Sequence, residues 1–139
     1  MRRLAFLLLL ALTAGACSAM KATPSSNVQP PAPGVPAKPE DVSGIYRSIH
    51  QGLLQLRADG NYVLVVPEGP GPTSGSFTLS AGRMSVYSKA CGPETGDYDV
   101  VVTGEQEAGK AVLNISAVRD PCEERRKSLT VDPWVYAYS

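Results

Sequence analysis

The feature that most constrains this chain is a pair of cysteines that bracket an alternating stretch. Between Cys91 and Cys122, residues 96–104 and 111–119 place apolar side chains at every second position. This period is typical of β-strands with one buried face. Residues 105–110, between the two runs, fit the turn of a hairpin. A disulfide between the cysteines would close the open end of that hairpin and clamp two neighbouring strands of a larger sheet.

The same alternation continues through residues 41–139, and turn signals separate the runs. The clearest turn is 58–61, because Gly60 accepts a positive φ without steric cost. Strands are expected at residues 44–48, 52–57, 62–66, 75–79, 84–88, 96–104, 111–119 and about 130–138. Eight antiparallel strands in chain order favour an all-β fold, a small up-and-down barrel that leaves no exposed edge.

One short helix is expected before the last strand. Asp120 suits the N-cap, Pro121 suits the first helical position, and Glu123 would complete a capping box with Asp120. Residues 123–127 place acidic side chains in the first turn and basic ones in the last, as the helix dipole favours. A solvated helix face therefore explains this charged run better than an interaction patch.

The alternation also predicts which side chains fill the barrel. The inward residues are the small Ala117 and the bulky Tyr46, Leu54, Leu56, Tyr62, Leu64, Phe77, Leu79, Met84, Val86, Tyr98, Val100, Val102, Leu113, Ile115, Leu129 and Trp134. An eight-stranded barrel is just wide enough to be filled by its side chains or to hold one small ligand. With residues of this size we expect a filled interior with at most a shallow pocket at one mouth. Recognition is then expected on the Gly- and Pro-rich loops 67–74 and 91–95.

Residues 1–17 have the pattern of an export signal. Arg2 and Arg3 precede an apolar run, residues 4–12, that is too short for a bilayer core, since spanning it needs about 20 residues. The small residues before Cys17 resemble the lipobox of bacterial lipoproteins. The alternative is an ordinary secretory signal cut near Ala16. The chain has three cysteines, and acylation of Cys17, with palmitate, would leave the other two to pair in an oxidising compartment.

Residues 18–40 are expected to be a tether, because prolines are frequent there and apolar periodicity is lacking. The barrel domain would then be residues 41–139, lipid-anchored at the cell membrane or outer membrane and facing the periplasm or the exterior. Without Arg2 and Arg3, the 13 basic residues fall to 11 against 13 acidic ones. That balance attracts neither nucleic acid nor an anionic membrane by bulk charge.

Five short motifs occur in an order that resembles the small bacterial lipocalin-like barrels. They are Gly44-x-Tyr46, Asp59-Gly60-x-Tyr62, Gly75-x-Phe77-x-Leu79, Cys91-x5-Gly96-x-Tyr98 and Asp120-x-Cys122-x2-Arg125-x3-Leu129. The resemblance implies an eight-stranded barrel with a structural arginine, Arg125, that pairs with or stacks on an aromatic ring such as Tyr46 or Trp134. Envelope-stress lipoproteins with small barrels are similar in the hairpin region. They also carry a Cys-x-x-Cys motif that this chain lacks, so their metal and redox roles do not transfer.

Candidate catalytic residues are few. His50 is the only histidine, so a His-based metal site cannot form, and a lone loop histidine is usually solvated. Asp97 and Asp99 share one strand face, but they lie on its polar side, where solvation explains them. The sequence has no nucleophile elbow, phosphate loop or calcium loop. We therefore expect no enzymatic activity, no metal and no cofactor.

The expected role is non-catalytic binding, either of a small apolar ligand at the barrel mouth or of an envelope protein on the loops. Two other roles stay open at this point. One is structural or stress-related scaffolding in the envelope, and the other is inhibition of an exported hydrolase through the loops.

Overall fold

The chain folds into a closed antiparallel barrel of eight strands. The computed structural model describes residues 34–50, 52–69, 71–105, 109–130 and 132–138. Its regular elements are β1 (Gly44–Arg47), β2 (Leu53–Leu56), β3 (Asn61–Val65), β4 (Thr73–Ser80), β5 (Arg83–Ser88), β6 (Gly96–Thr103), β7 (Val112–Arg119), α1 (Glu123–Thr130) and β8 (Trp134–Tyr138). Each strand pairs with the next, and β8 pairs with β1. The predicted up-and-down barrel with a helix before its last strand is therefore confirmed.

This order gives the barrel two different ends. We call the end that carries the turns after β2, β4 and β6 the closed end. We call the opposite end, which carries the connections after β1, β3 and β5 together with α1, the mouth. The predicted signal segment and most of the predicted tether, residues 1–33, lie outside the described residues.

The predicted hairpin between the two cysteines is confirmed. Strands β6 and β7 pair along most of their length, with Val100 opposite Ile115 and Val102 opposite Leu113. At the mouth end of this hairpin a disulfide joins Cys91 to Cys122, whose Cα atoms lie 5.7 Å apart.

The interior is filled by side chains from every strand, as the alternation predicted. The buried core consists of Val42, Tyr46, Leu54, Leu56, Tyr62, Leu64, Phe77, Leu79, Met84, Val86, Tyr98, Val100, Leu113, Ile115, Leu129 and Trp134. Val102 is half-buried and packs against this core. Burial of these apolar side chains is the main favourable contribution to folding.

One of the residues predicted to face inward, Ala117, lies opposite the buried Tyr98 as expected but is not itself buried. This residue is exposed, as are its neighbours at the mouth end of β7. Strand β8 pairs with β7 at only two positions, Val112 with Val135 and Leu113 with Trp134. From residue 114 to the end of β7, no described residue of β8 pairs with the strand. An inward position in this part of β7 is therefore not enough to bury a side chain.

A short 3₁₀ turn, Pro39–Val42, plugs the closed end. Val42 is fully buried beneath the core, although sequence periodicity gave no indication of it. Its carbonyl accepts a hydrogen bond from the Tyr46 hydroxyl at 2.9 Å. The plug therefore supplies both an apolar side chain and the partner that a buried phenol requires.

The residues just before this plug lie along the barrel wall. The amide of Val102 donates to the carbonyl of Gly34, and the amide of Gly82 donates to the carbonyl of Pro36, both at 2.7 Å. Residues 34–40, which were expected to be tether, thus carry backbone hydrogen bonds to the barrel. The chain enters the barrel at the closed end.

The helix begins later than predicted. Asp120 does not complete a capping box, because Glu123 pairs with Lys127 at 2.6 Å instead. The Asp120 carboxylate accepts a hydrogen bond from the amide of Cys122 at 2.8 Å, which forms a turn ahead of α1 rather than an N-cap.

One face of α1 packs into the mouth and the other is solvated. Arg125 and Leu129, four residues apart, are its buried side chains. The carbonyl of Leu129 accepts a hydrogen bond from the Trp134 indole at 3.0 Å. Because Thr130 ends the helix, β8 is shorter than the predicted strand from about residue 130. No helix in the described part of the chain has the length and apolar character needed to cross a membrane.

Candidate functional site

A cavity of about 300 Å³ opens at the mouth, between α1 and the connections after β3 and β5. Leu64, Val66 and Ala90 give it apolar walls, while Gly69 and Gly71 line it without adding side-chain bulk. This volume is at the lower limit of small-molecule sites. The predicted combination of a filled interior and a shallow pocket at one mouth is confirmed for the described residues.

Three polar side chains that line the cavity are themselves buried. They are Tyr62, Ser88 and Arg125. Burial raises the pKa of the Tyr62 phenol, and a hydrogen bond with the Ser88 side chain offsets this only in part. Both hydroxyls are therefore neutral at physiological pH.

Arg125 is held by a two-point ion pair with Asp120. Their side chains are 2% and 0% exposed, and the Nε and Nη2 groups of Arg125 donate to the two carboxylate oxygens at 2.7 Å each. Both terminal nitrogens also donate to the carbonyl of Glu94 at 3.2 Å. Paired, bidentate geometry of this kind is what makes burial of an arginine tolerable.

The aromatic partner of this pair is Tyr98, which corrects the expected contact of Arg125 with Tyr46 or Trp134. The Tyr98 hydroxyl donates to the Asp120 carboxylate. Burial, reinforced by this bond, raises the pKa of Tyr98. The rings of Tyr46 and Trp134 are engaged elsewhere, with the closed-end plug and the end of α1.

The same carboxylate explains a glycine of the Cys-x5-Gly-x-Tyr motif. A Cβ atom at Gly96 would collide with the carboxylate of Asp120. Burial alone would raise the pKa of Asp120, but hydrogen bonds from Arg125, Tyr98 and the amide of Cys122 outweigh it and lower the pKa below its ordinary value. Asp120 is therefore ionised at neutral pH.

The structure thus brings together motif residues from both sides of the hairpin. Gly96, Tyr98, Asp120 and Arg125 meet beside the disulfide, and Tyr62 joins them at the cavity. The other motif positions have separate duties. Tyr46, Leu129 and Trp134 belong to the core, Gly44 begins β1, and Gly60 turns the chain at the closed end. Cys17 lies outside the described residues.

Two contributors to the site were missed from the sequence. Ser88 ends β5 and continues the inward series of Met84 and Val86, so strict alternation would have found it had polar residues been included. Glu94 contributes only its carbonyl, and a backbone role leaves no trace in residue type.

His50 lies apart from the cavity. Its side chain is 71% exposed, as expected for a lone loop histidine, but its Nδ1 lies 2.5 Å from the carboxylate of Asp132, which is 6% exposed. That contact links the connection after β1 to the residue pair before β8. Within the described ranges, no three His, Cys, Asp or Glu side chains cluster as a metal site would require.

The buried tyrosines predict alkaline unfolding. Burial raises the pKa of Tyr46, Tyr62 and Tyr98, whereas a tyrosine in the unfolded chain ionises near pH 10. The stability that these groups contribute is complete below about pH 10 and is lost as the pH rises toward their folded pKa values. We expect the β-sheet circular dichroism signal to disappear together with the rise of phenolate absorbance.

The exposed Tyr138 supplies the control for this titration. Tyr138→Phe should leave the midpoint of alkaline unfolding unchanged. The expectation would be contradicted if all six tyrosines ionised while the circular dichroism spectrum stayed that of the folded barrel.

Comparison of the chain with protein-family models, with curated proteins and with solved structures finds no match. The function is therefore argued from the geometry of the mouth.

Proposed function

We propose that this chain is a cell-envelope barrel that binds a small, largely apolar ligand at its mouth. The observation that carries the proposal is the cavity of about 300 Å³ between α1 and the loops. It combines apolar walls with a few buried polar groups, which is the usual composition of a small-molecule site. The two loops expected to carry recognition, residues 67–74 and 91–95, both contribute to its lining through Gly69, Gly71 and Cys91.

The proposed role is binding without catalysis. Two of the ionised groups that line the cavity are bonded to carboxylates, Arg125 to Asp120 and Lys127 to Glu123, and the phenol of Tyr62 stays protonated. The third, Glu124, is the only carboxylate among the described residues that line the cavity, so no second carboxylate or histidine assists it there, and the pair of His50 with Asp132 lies outside that lining. A general base must reach the proton that it removes, and this pair has no contact with the cavity.

We also propose that the chain is a lipocalin-like lipoprotein, lipidated at Cys17 and anchored in the outer membrane or cell membrane. Sixteen residues separate Cys17 from Gly34, which corresponds to a reach of about 20 Å as a coil and about 50 Å as polyproline II. Gly34 lies at the closed end, so the tether would join the barrel at the end opposite the mouth.

Lipidation is tested by replacing its only candidate acceptor. Cys17→Ser should abolish metabolic palmitate labelling and release the chain from membranes. The double variant Cys91→Ser/Cys122→Ser is the matched control, since it should keep the label. Labelling of Cys17→Ser at the wild-type level would exclude the proposed anchor.

Ligand binding is tested by filling the cavity. In the soluble Cys17→Ser chain, a neutral solvatochromic dye should bind with enhanced fluorescence, and the further change Ala90→Trp should raise its Kd at least tenfold. Thr78→Trp, on the exposed outer face of β4, is the control and should have no effect. Equal dye affinity in the Ala90→Trp and Thr78→Trp variants would place binding elsewhere.

A further inference from the structure

Both cations that line the mouth cavity are already neutralised. Arg125 directs two of its N–H groups at Asp120 and others at the carbonyl of Glu94, and a guanidinium has only five N–H donors in all. Lys127, the second cation of the lining, pairs with Glu123 at 2.6 Å. Each cation therefore already has a carboxylate partner, which is buried for Arg125 and exposed for Lys127.

An acidic side chain also borders the same space. Glu124 lines the cavity beside Arg125, and no ion pair to it exists within the described residues. With Arg125 offset by Asp120 and Lys127 offset by Glu123, Glu124 is the charged group of the lining that has no ion-pair partner among the described residues. A ligand carboxylate would therefore be repelled, and it would lose its hydration without gaining a counter-ion.

The buried hydroxyls, in contrast, suit an uncharged polar group. Tyr62 and Ser88 are each 3% exposed, and each hydroxyl has one donor and two acceptor positions. The Ser88 side chain lies close enough to act on the Tyr62 phenol, and a hydrogen bond between the two hydroxyls would use one donor and one acceptor. The pair therefore retains one donor and further acceptor positions for a hydroxyl or amide that enters beside the apolar walls.

From this distribution of charge and hydrogen-bonding groups, we infer that the mouth cavity takes an uncharged amphiphile and discriminates against the corresponding carboxylate. The amphiphile is an apolar chain or ring that ends in a hydroxyl or amide. The apolar part contacts Leu64, Val66 and Ala90, and the polar end meets Tyr62 and Ser88. This inference rests on the proposed binding function and specifies its ligand class.

The test compares ligands that differ only at the polar end. With the Cys17→Ser chain at pH 8, 1-decanol, decanamide and decanoate compete against the neutral dye, each below its aggregation concentration. The two neutral compounds should displace the dye at concentrations at least about tenfold lower than decanoate, since an unpaired buried charge costs more than a satisfied hydrogen bond.

A charge variant separates electrostatics from shape. Glu124→Lys should strengthen decanoate competition at least threefold while leaving 1-decanol unchanged, and Glu40→Lys, at the closed end, should alter neither. Decanoate that competes as well as 1-decanol in the wild-type chain would overturn the inference and leave the proposed function standing. Failure of the dye and of all three compounds to bind would overturn both.

Discussion

Asp120→Ala is expected to destabilise the barrel by about 3–5 kcal/mol, because it leaves the buried guanidinium of Arg125 without its counter-charge. Both side chains of the pair are almost completely excluded from solvent, so water cannot replace the lost carboxylate. Tyr98 loses the acceptor for its hydroxyl in the same variant. The loss should appear as a lower urea midpoint in equilibrium unfolding followed by circular dichroism.

The chain contains a matched control for this measurement. Arg83 and Asp99 also form an ion pair, at 3.0 Å, but both side chains are half exposed. Asp99→Ala should cost less than about 1 kcal/mol, as exposed ion pairs usually do. If Asp120→Ala and Asp99→Ala shifted the midpoint equally, the buried pair would not have the structural role assigned to it.

Removing the disulfide is expected to have the second-largest effect. Cys91 and Cys122 are 31 residues apart, and closing a loop of this size contributes about 3–4 kcal/mol in the chain-entropy description. For a domain of this size, that loss should lower the Tm of Cys91→Ser/Cys122→Ser by more than about 10 °C. Thermal unfolding should give the same Tm for this variant and for the reduced parent chain.

Thiol titration provides the independent check on the same bond. The Cys17→Ser chain, denatured without reductant, should contain no reactive thiol. Two reactive thiols per chain would show that the bridge does not form in the purified protein, and the Tm comparison would then have no basis.

The barrel could be predicted from the sequence because its strands alternate cleanly and follow one another in space. For Tyr46, Leu54 and Phe77, inward or outward position follows from residue parity within a strand. Ala117 shows the limit of that rule. Parity gives the direction of a side chain, whereas its burial also depends on which strand or helix packs against it. The ladder between β7 and β8 ends at Leu113 and does not reach Ala117.

The mouth could be predicted only in part. Arg125 and Asp120 stood out in the motif, but their partnership depends on where the helix begins. Asp120 was expected as an N-cap, and in the structure Arg125 and Tyr98 compete successfully for its oxygens. Val42 and Glu94 were missed for a related reason, since a plug residue outside any periodic run and a backbone carbonyl have no local sequence pattern.

The short ladder between β7 and β8 has a consequence for the motions of the molecule. The amide of Tyr136, in β8, donates to the carbonyl of Ala111. Every second residue of β7 from there, including Ala117, therefore directs its backbone N–H and C=O groups toward the β8 side of the strand. Opening the wall here would break two residue pairs and displace α1, while the ladder from β1 to β7 stayed intact. Slow hydrogen exchange should therefore report a local opening at this seam below the free energy of global unfolding, with Ala117 less protected than Ser116. Since α1 also forms one wall of the cavity, the same fluctuation would widen the entrance through which a ligand passes.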